Sequence, residues 1–419
     1  MHLHPFHLYP TEIFATIFFF LCLRGGDSGH NLARIYLSHV CHQWREIALN
    51  QSLLWSHVDF TTLTLAGIAE ILARAKSAPL HLKARISGKR WDYPRLYKFQ
   101  LELRVRILHI CYLDISAENA HLRSTLSALK SPVPTLENLS LSNEDCQWGN
   151  VFIPDTLFSG CAPRLSSLKL PYCIISWRQP LWPLFKGLTY LKILKPYMKS
   201  NPKLADCLGA LAEMRELQTL TLQWASPETP SFPLDVEHTV TLPSLTDFNI
   251  EALLKECVLA LGHLDLPALT WLSLEAISMP LPKRGDVQKL LLYVARYICG
   301  TQHTRPLQSI LIRNNQKCVD MLAWPVPDIG VEVNNPPTLL GARLAPRLAL
   351  SFRSDDASYS ASGYYSHLEL LDALITGLPL DGIVMLAAQD LRCRTLDKSV
   401  LPSKQFWLHI SPKFTQLLQ

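Results

Sequence analysis

Apolar residues recur along the chain in one short phrase: an apolar residue, then two more at the third and fifth positions after it, with polar residues between. Leu136, Leu139 and Leu141 form it, as do Leu165, Leu168 and Leu170, then Leu188, Leu191 and Ile193. Leu217, Leu220 and Leu222 repeat it, followed by Leu245, Phe248 and Ile250, and by Leu269, Leu272 and Leu274. Proline often stands two residues before the first member, at Pro134, Pro163, Pro243 and Pro267. Successive copies begin 23–29 residues apart. The last two apolar positions are two apart, so on a β-strand they share one face, and the phrase predicts a short strand with a polar and an apolar side. Between the strands, apolar residues at spacings of three and four predict helices over Ala66–Lys76, Ala117–Leu129, Leu204–Met214, Val287–Ile298 and Ser366–Ile375. A strand, a helix and a second strand are also predicted over Trp55–Phe60, Gly67–Arg74 and Leu80–Ile86.

The first sixty residues read differently. A helix is predicted from Pro10, which suits a first helical position, with Glu12 in the first turn where the helix dipole favours an acid. Ile13, Ile17 and Phe20 follow helical spacing, but the run from Ile17 to Leu21 is apolar all round. A helix apolar on every side is covered on every side, so a partner protein is expected against one of them. A Gly-rich break spans Arg24–His30, and a second helix is predicted from Asn31 to Ala48, striped by Leu37, Val40, Cys41, Trp44 and Ile47.

A phrase of this kind at a period of 20–29 residues is the mark of leucine-rich repeats. One such unit cannot bury its apolar face alone, so neighbours stack into a curved array with parallel strands inside and helices outside. The expected fold is therefore α/β: a short N-terminal helical module over 1–60, then a leucine-rich-repeat-like solenoid over 61–419 with a parallel sheet on its concave side. The best repeats lie in 134–275. Looser copies occur at Val105/Leu108/Ile110, Leu307/Ile310/Ile312 and Leu380/Ile383/Met385, and the asparagine usual after the last leucine survives only at Asn143. Interruptions fall at Trp224–Pro233, Pro280–Gly285, Trp324–Pro337 and Ser351–Gly363, with a helical stub from Gln405 and an abrupt, uncapped end at Leu417-Leu418-Gln419.

The N-terminal module resembles an F-box. Pro10-Thr-Glu12-Ile13, the helix Leu37-Ser-His-Val40-Cys41-x-x-Trp44-Arg-Glu-Ile-Ala, and Leu54-Trp55 about ten residues later are similar to the F-box-like proteins of mushroom-forming fungi. F-box domains dock on the Skp adaptor of Skp–cullin–F-box ubiquitin ligases. The resemblance implies adaptor-binding positions at Pro10, Ile13, Ile17, Val40, Cys41 and Trp44, with Leu54 and Trp55 closing the module. Two features depart from the family: Tyr9 stands where leucine is usual, and Arg24–His30 is not part of the core motif.

Composition narrows the remaining chemistry. Of 419 residues 48% are hydrophobic and 18% charged, and leucine alone numbers 77, which excludes a disordered chain. Net charge is +5, and the densest basic stretch (Lys89, Arg90, Arg95, Lys98, Arg104, Arg106) is broken by Asp92 and Glu102, so it reads as a solvated surface, not a nucleic-acid site. The eleven cysteines form no C-x-x-C pair and fit reduced thiols, and Ile13–Leu23 is too short to span a bilayer. A cytoplasmic or nuclear, non-secreted protein is expected, with no membrane or nucleic-acid partner. Phosphate-binding, dinucleotide-binding, serine-hydrolase and H-E-x-x-H motifs are absent, and His2, His4 and His7 read as a frayed terminus. A non-enzymatic protein without catalytic residues, metal or cofactor is expected.

Binding then falls to the polar positions of the strands. Lys169, Lys192, Gln223, Asp247, Asn249, Glu251, Trp271, Glu275 and Arg313 are predicted to face outward on the concave side and to contact a target protein. Trp271 is either an anchor there or packed on a neighbouring strand or loop. Two functions follow from this organisation. One is a substrate-recognition subunit that holds the adaptor, and through it cullin, at one end and a target at the other. The other is a repeat scaffold whose F-box no longer engages a ubiquitin ligase.

Overall fold

The computed structural model describes residues 10–24, 33–87, 93–145, 151–177, 183–194, 204–223, 239–278, 284–300, 306–314, 318–326, 346–354, 367–380 and 382–390. They form an α/β protein with two compact units, Met1–Leu188 and Thr189–Gln419. The division falls inside the run of repeats, and the N-terminal helices belong to the first unit.

In the first unit, α1 (Thr11–Arg24), a short helix at 33–37, α2 (His42–Asn50) and a 3-10 turn (Ser52–Trp55) lead into the sheet. Strands β1 (His57–Asp59), β2 (Leu80–Ile86), β3 (Ile110–Ala117), β4 (Asn138–Asn143) and β6 (Ser167–Pro171) lie side by side in chain order, each paired in parallel with the next. Helices α3 (Leu65–Ala75), α4 (Tyr93–Arg106) and α5 (Asn119–Ala128) connect them. A two-stranded ladder of β5 (Val151–Phe152) and β7 (Cys173–Ile174) follows the last helix. The helix ends have local causes. The Thr64 hydroxyl accepts the Gly67 N–H at 3.1 Å to start α3, and Lys76 takes a left-handed φ of 52° to end it.

The second unit has β8 (Tyr190–Leu194), α6 (Leu204–Ala212), β9 (Thr219–Gln223), β10 (Val240–Thr241), β11 (Asp247–Leu253), α7 (Leu254–His263), β12 (Leu264–Asp265) and β13 (Trp271–Ser278). It continues with α8 (Arg284–Gly300), β14 (Ser309–Asn314), β15 (Cys318–Trp324), β16 (Leu348–Ser354), α9 (His367–Gly377) and β17 (Met385–Asp390). Its main sheet runs β8-β9-β11-β13-β16-β15-β14-β17.

Register explains the leucines. Leu82, Leu113, Leu139 and Leu168 stand opposite one another across the first sheet, all buried. Leu191, Leu220, Phe248 and Leu272 do the same in the second. Each apolar row is shared by neighbours, and burying one such side chain contributes about 1.5–3 kcal/mol. The prolines are explained by the turn that enters each strand. Leu136, Leu165, Leu245 and Leu269 each donate their N–H to the carbonyl three residues back, at 3.1–3.4 Å, which puts Pro134, Pro163, Pro243 and Pro267 at the second turn position, where a fixed φ is favoured.

Several expectations change. The copy assigned to Val105/Leu108/Ile110 is offset by five: α4 runs through Arg106 and a 3-10 turn occupies Ile107–His109, so the repeat positions are Ile110, Leu113 and Ile115. The last copy is offset by three, since the entry turn closes from Ile383 N–H to Leu380 O at 3.1 Å and Leu386 and Ala388 pair with Ile310 and Ile312. Helices α4 and α7 lie where none was predicted. Chain order in the sheet also ends at β13, whose neighbour is β16; β15 runs antiparallel between β16 and β14. Residues 224–233, 280–283, 327–337, 355–363 and 405–419, and His2, His4 and His7, lie outside the described residues. No helix among the described residues is long and apolar enough to cross a membrane.

Candidate functional site

The N-terminal helices carry an exposed apolar face. Helix α1 opens with Ile13 N–H donating to Pro10 O at 3.1 Å, and Thr16 Oγ1 donates to Glu12 O at 2.8 Å. Its inner stripe is Phe14, Phe18 and Cys22, one residue per turn, all buried. Phe14 and Phe18 pack on the Trp44 ring, with centroids 6.1 and 4.9 Å away. The outer side of the same helix exposes Ile13 (45%), Ile17 (45%), Phe20 (59%) and Leu21 (47%), and Val40 is 60% exposed on the following turn.

The second predicted helix is not continuous. It spans 33–37, then the Ser38 N–H and hydroxyl both turn back onto Ile35 O at 3.0 and 2.7 Å. Cys41, extended at φ −156°, restarts the helix as the N-cap of α2, its Sγ accepting the Trp44 N–H at 3.5 Å. The break sends Val40 and Cys41 to the surface and Trp44 inward. Pro10, Ile13, Ile17, Val40 and Cys41 are thus exposed. Trp44 is half-buried against α1, and Leu54 and Trp55 are buried, so these three frame the face without forming its surface.

The frame rests on a residue the sequence reading missed. Arg34 is 1% exposed, and its guanidinium donates to His57 O at 2.6 Å and to Leu54 O at 3.5 Å. Trp55 donates Nε1–H to Ala48 O at 2.7 Å and has two guanidinium groups over its ring, Arg34 at 5.7 Å and Arg74 at 4.4 Å from the centroid. Burial pulls the Arg34 pKa down to about 10, opposed by the Cys22 thiol, and it stays charged at neutral pH. Phe14, Phe18 and Cys22 were not singled out as an inner stripe, although the recurrence of apolar residues at 14, 18 and 22 carries its signal.

The second candidate surface is the polar side of the strands. In the first unit His57, His81, Tyr112, Asn138 and Ser167 share one row, with His57 stacked on His81 at 4.2 Å and His81 on Tyr112 at 5.6 Å. The next row alternates charge: Asp59, Lys83, Asp114, Ser140, Lys169. In the second unit Asp247 and Trp271 stand opposite each other beside Tyr190 and Thr219, and Lys192 and Asn249 share a row with Thr221 and Ser273. Gln223, Glu251, Glu275, Ser351, Asp320 and Arg313 form one polar row across six strands. It is held together by bonds within the row and beside it. Gln223 Nε2 donates to Glu251, Ser351 Oγ to Asp320 at 2.7 Å, and Arg353 pairs with Glu275 at 2.7 Å. Each predicted target-binding residue therefore lies in one of these rows of its own unit, but Glu251 is buried there and Arg313 shares its side of the sheet with the buried Leu311 and Trp324. Trp271 is half-buried and lines a small cavity with Tyr297, Leu307 and Arg347, which favours packing over an anchoring role.

Half of the basic stretch is engaged within the fold: Arg95 donates to Phe60 O and Leu63 O, and Lys98 and Arg106 both pair with Glu102, at 2.7 and 3.0 Å. Arg104 is exposed, and Lys89 and Arg90 lie outside the described residues. The cysteines among the described residues are free thiols, and burial pushes Cys111, Cys173, Cys207 and Cys257 up, which keeps them protonated. A scan against protein-family models and a search of curated proteins each returned no match.

Proposed function

We propose that the chain is the substrate-recognition subunit of a Skp–cullin–F-box ubiquitin ligase, its N-terminal helices acting as an F-box and its strands and helices as a degenerate leucine-rich-repeat solenoid. The observation that carries this reading is the exposed apolar face of Ile13, Ile17, Phe20 and Leu21 on α1, with Val40 exposed on the turn before α2. Four large apolar side chains of α1 are left facing water while a separate stripe of the same helix is buried. An apolar patch of this kind marks an interaction site. The F-box resemblance lies in these same helices. The polar rows of the repeats supply a surface for a target protein, which the ligase would bring close to its conjugating enzyme by raising effective concentration, with no chemistry of its own.

The test is co-precipitation of the full-length chain with a Skp-type adaptor and cullin. Both should be recovered with the wild-type chain and lost with Ile17→Asp. Recovery of neither with a folded wild-type chain would leave the second reading, an interaction scaffold outside the ligase, which the departure at Tyr9 favours.

A further inference from the structure

A second exposed apolar stripe lies on α4, and the proposed function does not use it. The inner face of this helix is Phe99, Leu103 and Ile107, all buried, with Phe99 edge-on to Phe60 at 4.8 Å. Its outer face exposes Tyr97 (67%), Leu101 (38%), Val105 (68%) and, in the adjoining 3-10 turn, Leu108 (57%). These four fall at i, i+4, i+8 and i+11 along about 16 Å of one face, with the exposed Arg104 at i+7 among them. A helix that needed only its own core would carry polar residues at all five positions. The helix is also tied down: Gln100 donates to Ser124 Oγ on α5 at 2.9 Å, and Arg95 bonds the Phe60 and Leu63 carbonyls. The stripe is thus presented on a fixed element.

Charge decides the occupant. Tyr93–Arg106 holds Arg95, Lys98, Arg104 and Arg106 against Glu102 alone, four cations and one carboxylate, net +3. Glu102 is buried and engaged by both Lys98 and Arg106. Arg104 is exposed beside Leu101 and Val105, and no ion pair reaches it among the described residues. No carboxylate is therefore exposed along this helix. A second copy of the chain would oppose one +3 helix to another across a two-fold axis, where like charges repel. We propose that the outer face of α4 docks an amphipathic helix of a partner protein, with a leucine-type stripe against Tyr97, Leu101, Val105 and Leu108 and with Asp or Glu flanking it. The acids would meet Arg104 and the outer edges of Lys98 and Arg106. This surface does not depend on the F-box reading.

The test uses the full-length chain and two labelled helical peptides, leucine at i, i+4, i+8 and i+11 in both, with glutamates flanking the stripe in one and lysines in the other. Fluorescence anisotropy should show the glutamate peptide binding at least about tenfold more tightly than the lysine peptide, with added salt narrowing the gap. Leu101→Asp and Val105→Asp should each weaken the glutamate peptide about tenfold or more, with unchanged circular dichroism and thermal unfolding. Should either fail to fold, Arg104→Glu keeps the question open to measurement, since it should weaken the glutamate peptide and strengthen the lysine one. Ile17→Asp should leave peptide binding unchanged. The proposal is overturned by absence of glutamate-peptide binding, by equal affinity for both peptides, by loss of binding in Ile17→Asp, by a wild-type dimer that Val105→Asp makes monomeric, or by sedimentation of the chain with anionic lipid vesicles in preference to the peptide.

Discussion

Phe18 and Ile17 are neighbours in sequence and stand about 100° apart round α1, one buried and one exposed, so a matched pair of substitutions tests the face assignment. Phe18 is fully buried between Phe14 and Trp44, with ring centroids 6.3 and 4.9 Å away. Phe18→Ala removes a buried aromatic and leaves a cavity that Phe14 and Trp44 cannot both collapse to fill, a loss of about 3–5 kcal/mol. Ile17 is nearly half exposed. Ile17→Asp gives up about half of an isoleucine's burial and a few tenths of a kcal/mol of helix propensity, together under about 2 kcal/mol. At 1.4 kcal/mol per decade, the first change should speed amide exchange across residues 14–22 by roughly two to three orders of magnitude and the second by about one. Hydrogen exchange read by mass spectrometry on the full chain measures both, and the local readout avoids assuming that two units unfold together. Equal protection losses in the two variants, or a larger loss in Ile17→Asp, would refute the division of α1 into a buried and an exposed face.

Three further outcomes are expected. Leu220→Ala, at a fully buried rung between Leu191 and Phe248, should cost about 2–5 kcal/mol and lower the thermal unfolding midpoint of the second unit, which calorimetry would read. Burial alone would raise the Glu102 carboxyl, but hydrogen bonds and charge from Lys98 and Arg106 outweigh it and hold the group below the usual glutamate range. Its contribution is therefore complete above the unfolded value of about 4.3 and is lost as pH falls through the lowered folded value; Glu102→Gln should flatten the acid limb of a stability-versus-pH curve in that window. Burial lowers His81, with Glu137 opposing it only in part, so the unfolded chain binds the proton more readily and stability should decline as pH drops below about 6.5. Nuclear magnetic resonance titration of the His81 ring should find its midpoint below that of free histidine, and a midpoint above it would contradict the burial.

Much of the sheet was legible because its code is short-range. Leucines three and two residues apart mark both the strand and its buried face, and Pro134, Pro163, Pro243 and Pro267 mark the turn before it. The copies at 110 and 383 were misread because the neighbouring apolar residues mimic the phrase. Val105 and Leu108 belong to an exposed helical stripe, and Leu380 begins the turn and precedes the strand. Helix α4 was hidden by its own charge: five charged residues in fourteen read as a basic stretch, although Phe99, Leu103 and Ile107 carry a helical period. The antiparallel strand β15 has no local signature, since pairing with β16 and β14 is decided by residues far apart in the chain. In the N-terminal helices, spacing identified apolar residues but not their direction. The break at Ser38–Cys41 turns Trp44 inward and Val40 outward, and a serine hydroxyl bonding its own helix is a weak signal in sequence. Arg34 was unreadable for a different reason: a buried arginine looks like any surface arginine until Trp55 and the carbonyls of Leu54 and His57 surround it.

The central claim is that the outer face of the N-terminal helices docks an adaptor. Titration calorimetry of the purified full-length chain with a Skp-type adaptor tests it most directly, comparing wild type with Ile17→Asp, Val40→Asp and, as a control on another helix, Leu101→Asp. Wild type and Leu101→Asp should bind and the other two should not, all four chains being equally folded. No heat of binding with wild type, or unchanged affinity in Ile17→Asp and Val40→Asp, would contradict it.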